Sequence, residues 1–139
     1  MVYVDAGPLA DGDVINDELP ADGDDLPLPP WEAFGDEDLV DLDDRLRAEF
    51  RARAIPEPAA VASEPIRLGD ERRYEVPVTV IASEFPSRLL GEWIAAGSPF
   101  TRELAKVKHV DYLDVPTGHW PQFTRPVELG QAIVAALAG

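Results

Sequence analysis

The sequence predicts an α/β protein built on a small parallel sheet, and three observations carry that expectation. Val78-Thr79-Val80-Ile81-Ala82 is an unbroken apolar, β-branched run, the pattern of a strand covered on both faces. A second strand-like segment, Val110-Asp111-Tyr112-Leu113-Asp114-Val115, follows after enough residues for a crossover helix, and Pro126 then opens a last helix. Strand, helix, strand, helix in that order implies right-handed crossovers between parallel strands. A length of 139 residues suits one domain around one core.

The elements divide the chain into residues 1–8, 9–75 and 76–139. Met1 to Val4 is short, apolar and β-branched, and Asp5-Ala6-Gly7-Pro8 ends it as a turn. Pro8, Pro20, Pro27, Pro29 and Pro30 make the stretch to Phe34 a loop, with Trp31 and Phe34 as its large anchors. Residues 36–54 predict a helix: Leu39, Leu42, Leu46 and Phe50 recur at three to four residues, and Asp41/Arg45, Asp43/Arg47 and Glu49/Arg53 are acid-before-base pairs at i,i+4. Pro56 and Pro58 close it, and an irregular connection runs to about Glu75. After the strand at 78–82, residues 87–96 and 99–106 read as helices separated by Gly97 and Pro99. In the last helix, Val127, Ile133, Val134 and Leu137 are expected to face the core.

Charge is distributed unevenly. Of 27 acids and 12 bases, residues 1–44 hold 15 acids and neither Lys nor Arg. An acidic third of that kind repels phosphates and argues against nucleic-acid binding. Asp11-Gly12-Asp13 followed by Asn16-Asp17-Glu18 fits no EF-hand loop, so the segment reads as a solvated acidic stretch and no metal is expected. No cysteine is present, which removes disulfides, thiolate metal sites and cysteine nucleophiles. No apolar run reaches membrane length, and the first residues lack a basic leader, so a cytoplasmic protein without membrane contact is expected.

In a parallel α/β sheet, ligands gather beyond the carboxyl ends of the strands. Asp5, Glu84 and His119 stand at those positions, and a carboxylate that orients an imidazole is the acid–base part of many hydrolytic sites. Spacing alone does not bring the three together. The surrounding residues add to it. Pro116-Thr117-Gly118-His119-Trp120-Pro121-Gln122-Phe123, with Arg125-Pro126-Val127-Glu128-Leu129 opening the last helix, resembles the histidine loop of the α/β-hydrolase family. Val2-Tyr3-Val4-Asp5-Ala6-Gly7-Pro8 resembles the strand and turn that lead into that family's cap, and Val76-Pro77-Val78-Thr79-Val80-Ile81 resembles its penultimate core strand.

The resemblance implies a partial hydrolase sheet of about three core strands with flanking helices and a helical cap segment within 9–75. It also implies His119 as general base and Asp5 or Glu84 as its acid, an esterase or acyl-hydrolase type of activity on a small-molecule substrate, and no cofactor. The family's nucleophile sits in Gly-x-Ser-x-Gly, and none of Ser63, Ser83, Ser87 and Ser98 has that setting. The chain is therefore expected to be a truncated one, inactive by itself, and its half-sheet to be oligomeric or to pair with a complementary N-terminal half. A non-enzymatic binding module and one half of a split hydrolase are the alternatives. Trp31, Phe34, Trp93 and Trp120 leave the substrate open, since aromatic residues are core by default.

Overall fold

A computed structural model describes residues 1–138. In chain order its elements are β1 (Val2–Val4), β2 (Asp25–Leu26), α1 (Asp44–Arg53), β3 (Glu57–Pro58), α2 (Ala59–Ser63), β4 (Val78–Ala82), α3 (Ser87–Ala95), β5 (Val110–Asp114), α4 (Pro121–Thr124) and α5 (Pro126–Ala138). Single 3-10 turns lie at Trp31–Ala33, Glu71–Glu75, Pro99–Thr101 and Leu104–Lys106.

Strands β1, β4 and β5 form one parallel sheet with β4 in the centre, and β2 and β3 form a separate antiparallel pair. The parallel α/β arrangement expected from the chain is thus present. The register sets Val4 against Ile81 and Ala82 against Asp114, so the three strands stop at nearly the same level. Asp5 N–H donates to Ile81 O at 2.8 Å and Val115 N–H to Ala82 O at 2.8 Å, carrying the ladder one residue past each outer strand. Whatever follows these strands is gathered at one end of the sheet.

Strand β4 is buried on both faces because a different layer covers each. Val78 and Val80 pack with Leu104 and, less deeply, with Leu90, Ile94, Val107 and Tyr112. Ile81 packs the other way, with Val115 and Leu129, and with Ala132 and Ile133 of α5. Ile81 is fully buried, and a side chain of that size removed from water contributes about 1.5–3 kcal/mol. The outer edge of β1 pairs with no strand among the described residues. No helix among them is long and apolar enough to cross a membrane.

Three local expectations are corrected. The helix expected over 36–54 begins only at Asp44, because Asp43 caps it by accepting from Leu46 N–H at 2.8 Å and Asp41 sits in the left-handed region at φ 63°. Of the three expected pairs on that helix, Glu49/Arg53 forms at 3.0 Å, whereas Arg47 turns to Leu42 O and Asp41 to Arg125. Residues 99–106 form two 3-10 turns instead of a helix. Helix α5 buries Leu129 and packs Ala132 and Ile133 inward, leaving Val127, Val134 and Leu137 exposed. The apolar positions there run round the helix, so periodicity did not single out the inward face.

Candidate functional site

The turn after β1 places the first carboxylate. Asp5 has φ 45°, a left-handed conformation that Asp tolerates better than most side-chain-bearing residues. Its Oδ1 accepts from the backbone N–H groups of Ser83 (3.0 Å) and Glu84 (2.9 Å), just beyond the end of β4. Two backbone donors on one oxygen fix the plane of the group. The other oxygen, Oδ2, lies 2.8 Å from His119 Nδ1.

The loop after β5 carries the histidine, and it is held by backbone from the long connection between β1 and β4. His119 N–H donates to Asp38 O at 2.9 Å and Gly118 N–H to Val40 O at 3.2 Å. A Cβ on Gly118 would stand 2.2 Å from Asp38 O, so only glycine permits this approach. Asp41 accepts from Arg125 at 2.8 Å and lies 3.2 Å from the Thr117 hydroxyl, pinning the two ends of the loop. Trp120 packs edge-on against Trp31, Phe34 and Phe50, and Phe50 stacks on Phe123 at 4.3 Å.

A carboxylate only accepts, so the bond to Asp5 assigns the proton to Nδ1 and leaves Nε2 as the free nitrogen of the neutral ring. The imidazole is half-exposed while the Asp5 carboxylate beneath it is buried. The hydrogen bond to Asp5 raises the His119 pKa above its ordinary value; burial opposes this, and the charges of Asp5, Glu84 and Asp38 reinforce it.

Glu84 completes the group, with Oε2 3.5 Å from Nδ1 and a side chain only 9% exposed. Burial, then the neighbouring carboxyls of Asp38 and Asp5, push its pKa up to about 7, with His119 pulling the other way. Both of its protonation states are therefore populated near neutrality. All three residues expected at the strand ends meet at one place, with Asp5 in the shorter contact with the ring.

Ligand atoms of Asp5, Glu84 and His119 lie within 4.8 Å of one another, so the same three could hold a divalent cation. A cation there would displace the proton between Asp5 and Nδ1, the bond around which the site is built. Among the described residues, no serine hydroxyl bonds His119. Ser87 donates to Asp114 Oδ2 at 2.7 Å, Ser63 to Ala59 O at 3.0 Å, and the Ser83 hydroxyl is buried without a partner. A pocket of about 200 Å³ opens beside His119 and runs in between Leu90, Trp93 and Leu104.

Sequence reasoning missed Asp38 and Asp41. Both fall inside the helix expected at 36–54, and Asp38 contributes mainly its carbonyl, which has no residue-type signature. The one available sign was Gly35 three residues before Asp38, where Gly35 N–H donates to the Asp38 carboxylate at 2.8 Å and makes a turn. Comparison of the chain with family models, with curated proteins and with solved structures gave no match.

Proposed function

We propose that Asp5 and His119 form the acid–base pair of an α/β-hydrolase-like site of the serine, acyl-hydrolase type, whose nucleophile is not among these 139 residues. The observation that carries the reading is the 2.8 Å contact of Nδ1 with a buried carboxylate that two backbone N–H groups hold in place. This leaves Nε2 free to take a proton from a hydroxyl attacking a carbonyl carbon, and Asp5 stabilises the imidazolium that results. Glu84 is a second carboxyl against the same ring, close enough to tune its charge. In this reading the connection 9–75, whose residues 31–42 lie on the histidine loop, takes the part of a cap.

Two measurements on the chain as it stands test the proposal. The His119 ring should titrate above its ordinary value by NMR, and Asp5→Asn should bring that midpoint down. A fluorophosphonate probe should leave the chain unlabelled. An ordinary His119 midpoint that ignores Asp5→Asn removes the pair, and stoichiometric labelling removes the missing-nucleophile part.

A divalent-cation centre is the second reading, favoured by the convergence of Asp5, Glu84 and His119. Zinc titrated by calorimetry separates the two, since binding at micromolar concentration that His119→Gln abolishes would favour the metal.

A further inference from the structure

The pocket beside His119 is apolar along its length and acidic at its mouth. Its walls come from the layer that packs on Val78 and Val80 of β4, opposite α5: Val80 and Leu104 at the base, Leu90 and Trp93 from α3, and Phe85 and Phe100 toward solvent. Thr101 is the one polar side chain away from the mouth, and no Lys or Arg lines any part. At the mouth stand Asp5, Glu84 and His119.

Two physical constraints fix what fits. A volume of about 200 Å³ holds one aromatic ring together with a carbonyl group and little more; an apolar cavity of roughly 150 Å³ already takes benzene. The acidic mouth then selects by charge. An arriving carboxylate meets Asp5 and Glu84, with Asp38 close behind Glu84, and finds no free cation, because the one ring that can carry positive charge is already paired with Asp5. A neutral carbonyl compound meets no such opposition.

We infer that this pocket binds the ring or short chain of a compact, uncharged ester, placing its carbonyl carbon beside His119 Nε2 and excluding the corresponding free acid. The inference rests on the Asp5–His119 reading for the chemistry, and on the pocket alone for the binding. It also gives a direction to turnover, since an acid released at this mouth is expelled by the same carboxylates.

The test is binding, which needs no nucleophile. Methyl benzoate and benzoate are titrated into the chain at pH 8 while the indole N–H of Trp93 is followed by NMR. Methyl benzoate should shift Trp93 saturably, and benzoate should bind at least about tenfold more weakly. Gly7 lines the mouth, and a Cβ there meets nothing within 4 Å, so Gly7→Leu should block the pocket without a clash and abolish the shift. Should that variant not fold, the comparison of ester with acid in the unmodified chain still decides. Equal binding of benzoate, a Trp93 signal unmoved at the highest ester concentration, or a folded Gly7→Leu that binds as before would each overturn the inference. A silent Trp93 with a raised His119 midpoint sinks the pocket alone, whereas ester binding with an ordinary midpoint sinks the acid–base pair alone.

Discussion

Two buried glutamates in this chain have opposite surroundings. Glu103 has a side chain only 2% exposed, yet it accepts from Tyr74 OH at 2.8 Å, lies 3.4 Å from Arg73, and bonds Lys106 as well. Burial pushes its pKa up, but the bonds from Lys106 and Tyr74 outweigh burial and hold it below the ordinary carboxylate value. Glu84 is nearly as buried and finds carboxyls where Glu103 finds cations, so its pKa rises to about 7. The difference teaches what each region is for. Glu103 ties the turn at 71–75 to the turns at 99–106 and is satisfied. Glu84 is held at a cost that His119 offsets only in part, and carboxyls kept in that condition cluster at functional sites.

The contrast breaks most visibly at Glu103. Glu103→Ala strips three donors of their acceptor, and we expect a loss of about 2–4 kcal/mol in denaturant unfolding at pH 7. That is near the lower end for a broken buried pair, because Lys106 is half-exposed and can return to water. A loss under about 0.5 kcal/mol would mean that this ion cluster does not hold the two segments together. Because the Glu103 pKa is lowered, its stabilisation is present above the ordinary carboxylate value and is lost as pH falls through its folded-state value.

Glu84 should behave in the reverse sense. A folded pKa of about 7 against an ordinary 4.5 means that its contribution is intact below pH 4.5 and is lost as pH rises toward 7. Glu84→Gln removes the ionisation, and should therefore raise stability at pH 8 by about 1–3 kcal/mol while leaving it nearly unchanged at pH 4. The melting temperature against pH checks this: a variant that is destabilised at pH 8 would show that the negative charge is wanted there. The smallest effect sharpens the Glu103 side. Tyr74→Phe deletes one hydroxyl donor and should cost about 1 kcal/mol, with the Glu103 midpoint moving up.

Much of the sheet was legible because its central strand is buried on both faces and must be apolar throughout. Residues 78–82 could hardly be read otherwise. The three chemical side chains were legible for a related reason: they follow directly on strands, and a parallel register stops those strands at one level. The supports of the site were not. Asp38 and Val40 hold the histidine loop through carbonyl oxygens, which every residue carries. The Asp-rich run at 36–44 satisfied a helical spacing yet spent Asp38, Asp41 and Asp43 on turns, a loop clasp and a cap. Helix α5 is apolar nearly all round, so only the packed structure distinguishes Leu129 from Val134.

The clasp of Asp38 and Val40 on the histidine loop separates the life of Asp5 from that of His119. Asp5 hangs from the ends of β1 and β4 and lasts as long as the sheet does. His119 keeps its bearing only while residues 31–42, a stretch without regular helix or strand beyond one 3-10 turn, stay seated on its loop. Local opening of that stretch costs less than melting the sheet. The contact of His119 with Asp5 can therefore be lost while the core is intact, and warming would part the two before it unfolds the protein.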